Sequence, residues 1–317
     1  MKKRLLLLAL KLLWGLALVT VVAWYSDIGE SWAAIENARP APLVLATLLG
    51  VLSVFLAAAG VTLVGRAVSD ELGWLVGIKG FCLAWVLGFF LGRVSELSLP
   101  VFWRGHLPLP QAAAVVLVDK LISLSWVTVL GAVGLGLLVD PRAGLIAGGL
   151  GVAGLGGVVF LISSDSARRA AGKLLPARWI EQLRDLPDTF RLVTQRRRGA
   201  VVANVLITGL RALLHGVILV LLMASIGQTL SPVIGVAVQA MITLTSLIPG
   251  SFMGLGYWES VYVMGLGRAG IGSADALAAA LIWRALNLAI MLPIFLFGSS
   301  ERTGGATAAE GSELSDG

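Results

Sequence analysis

Arg211 and His215 stand four residues apart in an otherwise apolar run, so on a helix they share one face. Two acid–base pairs recur at matching distances. Glu96 is followed 24 residues later by Lys120, and Glu259 is followed 25 residues later by Arg284. Ionisable groups inside an apolar segment cost a few kcal/mol each and therefore face partners or water. One chemistry is plain ion pairing, Glu96 with Lys120 or Glu259 with Arg284, holding a bundle together. The other is anion binding. Arg93, Lys120, Arg211 and Arg284 outnumber the acids Glu96, Asp119 and Glu259, and His215 can add to that surplus. Arginine matches phosphate oxygens in a bidentate way, and the amides at a broken helix's N-terminus would add donors. Asp119 and Lys120 are adjacent, so on a helix they point about 100° apart and are expected to serve different partners. Lys11, about two turns inside the first apolar run, reads as a snorkelling structural lysine.

Catalytic patterns do not emerge. The sequence has no nucleophile elbow, no metal-ligand spacing and no nucleotide-type phosphate loop, since Gly250–Gly256 lacks the Lys-Ser/Thr ending. One cysteine, Cys82, and two histidines, His106 and His215, leave little for a metal. The expectation is a non-enzyme without cofactor or metal.

The elements that must position these groups are membrane helices. Of 317 residues, 57% are hydrophobic and 13% charged, with mean hydropathy +0.91, against roughly 25% charged in soluble domains. The net charge of +6 and pI near 9.9 come from segment ends and one loop, which fits juxtamembrane charge beside anionic lipid better than nucleic acid. After Lys2-Lys3-Arg4, the run Leu5–Trp24 exceeds a signal peptide's apolar core of about 7–15 residues and reads as a retained first span. Further spans are expected at Leu43–Val64, Ala112–Leu138, Ala143–Leu161, Val201–Ala224 and Ala276–Phe297. Two apolar stretches are broken beside a carboxylate. Trp74–Leu91 runs into Gly92, Arg93 and Glu96. Pro232–Pro249 runs into Gly250, Gly254, Gly256 and then Glu259. Non-helical backbone at membrane depth must be shielded, so both read as re-entrant hairpins.

Charge parity supports that reading. The loop 164–199 carries nine basic and four acidic residues and belongs, like the N-terminal cluster, on the cytoplasmic side. An even number of crossings must separate them; the four clear runs satisfy this, and Trp74–Leu91 as a full span would make five. The fold class expected is all-α, a polytopic bundle of six full spans with two re-entrant hairpins entering from opposite sides. Each hairpin carries a carboxylate and precedes a helix with a buried cation. The halves, about 42–138 and 200–298, therefore read as an inverted repeat of the kind used by transporters. Within the loop, Leu175, Trp179, Leu183, Leu186 and Phe190 form an apolar stripe interrupted at Pro187. It could lie on an anionic leaflet or pack on the bundle. The segment 299–317 reads as a disordered tail after a transmembrane domain 1–298.

Gly92-Arg93-Val94-Ser95-Glu96, Val118-Asp119-Lys120-Leu121, Leu247-Ile248-Pro249-Gly250, Gly254-Leu255-Gly256-Tyr257-Trp258-Glu259 and Trp283-Arg284 together resemble the flippase-like transmembrane region of lysylphosphatidylglycerol synthase. The resemblance runs to about Gly298. Asp119-Lys120 stands where that family often has Glu-Arg, and Gly65-Arg66 replaces a richer aromatic and basic stretch. In the synthases a soluble aminoacyl-transferring domain follows, whereas about nineteen residues follow here, so lipid aminoacylation is not expected of this chain. The resemblance implies a lipid-translocating fold. The function expected is a flippase for a lipid with an anionic phosphate headgroup in the bacterial inner membrane, with both termini cytoplasmic. Arg93, Glu96, Lys120, Arg211, His215, Glu259 and Arg284 would form the headgroup cavity. Movement would be downhill, or coupled to an ion gradient through Glu259 or His215. The alternative is a non-catalytic accessory or scaffold for an envelope lipid- or glycan-modifying enzyme. The partners expected are membrane lipids and no nucleic acid, with a homo-oligomer or an envelope-biosynthesis partner left open.

Overall fold

The computed structural model describes residues 13, 17, 20–22, 24–91, 98–164, 186–196, 198–245 and 256–299. They form an all-α membrane bundle with the α-helices α1 Ile28–Glu36, α2 Pro40–Val68, α3 Trp74–Leu91, α4 Leu99–Phe102, α5 Leu109–Leu138, α6 Pro141–Ser163, α7 Leu186–Arg191, α8 Arg198–Ser225, α9 Pro232–Thr245, α10 Tyr257–Arg268 and α11 Ser273–Ser299, and with a π-helical turn Leu192–Arg196 between α7 and α8. Among the described residues, α2, α5, α6, α8 and α11 are long and apolar enough to cross a bilayer. They coincide with five of the six expected spans. The sixth, Leu5–Trp24, falls largely outside the described residues, and those described within it are helical. Helix α3 has 18 described residues and α9 has 14, about 27 Å and about 21 Å at 1.5 Å per residue, and residues 92–97 and 246–255, which follow them, lie outside the described set.

Helices α2 and α8 form the centre, packed along their lengths. Around them, α3 packs on α2 and α11, while α9 packs on α8 and α5. One apolar core joins α2, α3 and α5, and a second joins α8, α9, α10 and α11. Lipid tails are as apolar as leucine, so helices in a bilayer associate through close packing, which small residues permit. A Cβ on Gly216 of α8 would stand 2.7 Å from the Val236 backbone nitrogen, and one on Gly235 would stand 2.7 Å from the Gly216 carbonyl oxygen. Backbone cannot yield as a side chain can. Gly216→Val is therefore expected to part α8 from α9 at a cost of about 1–3 kcal/mol, read as a lower midpoint of thermal unfolding in detergent.

The two ends of the bundle are treated differently. At α1, Asp27 caps the helix by accepting from Gly29 and Glu30 amides, and Trp24, Tyr25, Ile28 and Trp32 stay exposed as an interfacial aromatic group. In the basic loop, residues 165–185 lie outside the described set, Leu175, Trp179 and Leu183 with them. The described remainder packs on the bundle. Phe190 and Val193 are buried in the first core, and α7, with Pro187 at its second position, rests against α5. Of the tail, only Ser299 is described, as the last residue of α11.

Candidate functional site

Four polar residues of α8, Asn204, Thr208, Arg211 and His215, follow one another at spacings of four, three and four, which places them on one face. That face meets α2. His215 Nε2 and Ser53 Oγ are hydrogen-bonded at 2.7 Å, and Arg211 Nε donates to the Ser53 carbonyl at 3.1 Å. Gly60, seven residues further along α2, leaves room for the Asn204 side chain. Arg211 is the fourteenth of 28 residues in α8 and Ser53 the fourteenth of 29 in α2, so this polar contact sits at the middle of both spanning helices. Beside it opens a cavity of about 60 Å³ lined by Gly50, Ser53, Val54, Ala57, Trp85, Arg211, His215, Trp283, Asn287 and Ile290. No carboxylate is among these described residues. The volume suits about two waters or the tip of a polar group, and aromatic walls close it, His215 meeting Trp283 edge-on at 6.0 Å.

One residue beyond Trp283, Arg284 leaves α11 toward α10. Its Nε and Nη2 both donate to Glu259 Oε1, at 2.9 and 2.7 Å. Glu259 Oε2 accepts the Gly256 amide at 2.8 Å, so the carboxylate caps the first turn of α10 from its third position, the half of a capping box that a glycine N-cap allows. Gly256 has φ +82, a conformation glycine adopts freely. Glu259 is 2% exposed. The guanidinium also lies over the Trp258 ring, 5.1 Å from its centroid, as a cation–π contact.

A third polar group joins α5 to α8. Asn204 Nδ2 donates to Asp119 Oδ1 at 3.1 Å, and Thr208 Oγ1 donates to Asn204 Oδ1 at 3.4 Å. Lys120 Nζ lies 3.3 Å from Asp119 Oδ2. Asp119 thus has its own partner in Asn204, and it meets Lys120 as well. The two Cα–Cβ vectors do diverge, but a lysine stem is long enough to bring its ammonium back to the neighbouring carboxylate.

The expected headgroup residues thus fall into three groups. Arg211 and His215 line the central cavity; Glu259 and Arg284 pair beside it; Lys120 pairs with Asp119 in the first core. Arg93 and Glu96, and the break residues Gly92, Pro249, Gly250 and Gly254, lie outside the described residues. Sequence reasoning missed Ser53, Asn204, Thr208 and Asn287. The 4-3-4 spacing of polar residues along α8 was a usable signal for Asn204 and Thr208. Asn287 stands one turn after Trp283 and donates to its carbonyl at 2.8 Å. Ser53 carries no local signal, because serine is common in membrane helices where it bonds its own backbone.

No curated protein matches the chain, and no solved structure does. A family model does match, that of the lysylphosphatidylglycerol synthase TM region, over residues 12–294. Its span takes in all three polar groups and nearly all of the bundle. The chain is a multi-pass helical membrane protein that belongs to the lysylphosphatidylglycerol synthase transmembrane-region family.

Proposed function

We propose that this protein moves a lipid with an anionic phosphate headgroup across the bacterial inner membrane, with both termini on the cytoplasmic side. The observation that carries the reading is the cavity at mid-helix, lined by Arg211 and His215 and free of carboxylates among its described lining residues. A cationic, partly aromatic space at that depth suits an anionic group, because a guanidinium matches phosphate oxygens in a bidentate way. Arg284, the residue after the lining residue Trp283, supplies a second guanidinium on the same helix. The headgroup would pass from one to the other while the acyl chains stay in lipid.

The pattern of neighbours supports an inverted repeat with two re-entrant hairpins. Exchanging α2 with α8, α3 with α9, α4 with α10 and α5 with α11 maps the packed pairs α2–α3, α3–α11 and α4–α5 onto α8–α9, α9–α5 and α10–α11. The chain itself would act by binding and reorientation rather than by catalysis.

A second reading has its own support. Glu259–Arg284 and Asp119–Lys120 are satisfied ion pairs, as a scaffold for an envelope enzyme would need for cohesion alone. Reconstitution separates the two. Proteoliposomes of wild-type protein should expose fluorescent phosphatidylglycerol to an external quencher. Arg211→Ala should reduce that rate by about tenfold or more, the worth of a charge-assisted hydrogen bond. Equal rates with wild type, Arg211→Ala and protein-free vesicles would leave the scaffold reading in possession.

A further inference from the structure

Tyr262 follows Glu259 by three residues on α10 and is 1% exposed. Its hydroxyl is buried without a hydrogen-bond partner, as is the indole nitrogen of Trp258 one turn earlier. Both are unusual, because buried polar groups are almost always satisfied and phenylalanine would fill the same space without the unmet hydroxyl. A side chain on a helix leans back over the preceding turn, which carries the Tyr262 ring toward residues 258 and 259. Glu259 stands three residues back on the same helix and holds Arg284 there. Meanwhile Glu259 is committed. Oε1 takes two Arg284 donors and Oε2 takes the Gly256 amide. Should Arg284 turn to a headgroup phosphate, Oε1 would lose both donors at a position water does not reach. A carboxylate cannot stay buried and bare. One unmet donor stands a turn away.

We infer that Tyr262 is the second, alternating partner of Glu259, its hydroxyl taking over the carboxylate when Arg284 leaves to hold a phosphate oxygen. The inference rests on the lipid-moving reading above. It makes Tyr262 a positioning residue: its hydroxyl stands unused while the ion pair is closed and becomes necessary when the pair opens. The indole nitrogen of Trp258 remains available to the same Oε1 or to the phosphate.

The experiment compares Tyr262→Phe in the wild-type and Arg284→Ala backgrounds of the full chain, by thermal unfolding in detergent, and follows fluorescent phosphatidylglycerol in proteoliposomes. With Arg284 present, Tyr262→Phe should leave the unfolding midpoint unchanged or raise it, since an unsatisfied hydroxyl is removed. With Arg284 absent, the same change should lower the midpoint by several degrees, a coupling a packing role would not produce. The transport rate should fall by about tenfold, as for one lost hydrogen bond to a charged group. If Arg284→Ala does not fold, Arg284→Gln supports the same comparison. Equal midpoint changes in both backgrounds overturn the inference. Wild-type protein that moves no lipid sinks the transport reading instead, and the coupling then decides the Glu259–Tyr262 exchange by itself.

Discussion

Arg284→Ala is expected to destabilise the protein by about 3–5 kcal/mol, because it leaves the Glu259 carboxylate buried without its cation. Glu259 is 2% exposed; in the variant it keeps the Gly256 amide and gains at most the neutral Tyr262 hydroxyl, which does not replace the lost charge. The cation–π contact with Trp258 is lost as well. Glu259→Gln should cost less, since an amide oxygen can still accept from Arg284 and no bare carboxylate remains. The informative variant combines Glu259→Met with Arg284→Met. Replacing both members of a buried pair by apolar residues of similar length is often neutral, so this double variant should recover most of the stability that Arg284→Ala loses. It should recover no lipid movement. A double variant that both folds and transports would confine the pair to a bracing role and assign the headgroup to Arg211 and His215 alone.

How much of the fold and the site is legible in the sequence depends on the kind of signal each residue leaves. The spans are legible because a bilayer demands long apolar runs, and α2, α5, α6, α8 and α11 satisfy it with little ambiguity. The Glu259–Arg284 pair is legible from two charges in apolar segments whose spacing recurs in the other half. The pairing of Arg211 with α2 is not. Its acceptor is a backbone carbonyl at Ser53, and every residue has one, so composition cannot single it out. Asn204 hides for a related reason. A lone asparagine in a hydropathy profile lowers the mean slightly, and only the helical spacing to Thr208, Arg211 and His215 reveals a shared face. The Asp119–Lys120 contact escapes a reading in which backbone direction stands for side-chain reach. On a helix surface the Cβ vectors of neighbours diverge, yet a four-carbon stem spans the gap, and burial beside α8 gives it reason to. Sequence patterns locate faces well. They locate the ends of long side chains poorly.

That contact yields the second large expected effect. Asp119→Ala should destabilise the protein by about 2–4 kcal/mol, since it strips a partner from both the Asn204 amide and the Lys120 ammonium. Asp119 has 8% side-chain exposure, against 29% for Lys120. Because the ammonium retains some outlet to solvent, the upper end applies only if the amide is left unsatisfied too. Asp119→Asn separates the contributions. Its carbonyl oxygen can still accept from Asn204 Nδ2, so only the charge interaction is lost, and a cost of about 1 kcal/mol is expected. Adding Lys120→Met to Asp119→Ala should restore part of the stability, because a cation that has lost its Asp119 contact at membrane depth disappears with it. Unfolding midpoints of wild type and these three variants check this ordering. Transport discriminates further. If Lys120 serves the α5–α8 brace and not the headgroup, Asp119→Ala with Lys120→Met should still move lipid at near wild-type rate once folded. A tenfold or greater loss in that folded double variant (about 1.4 kcal/mol) would return Lys120 to the lipid path and extend that path from the central cavity into the first core.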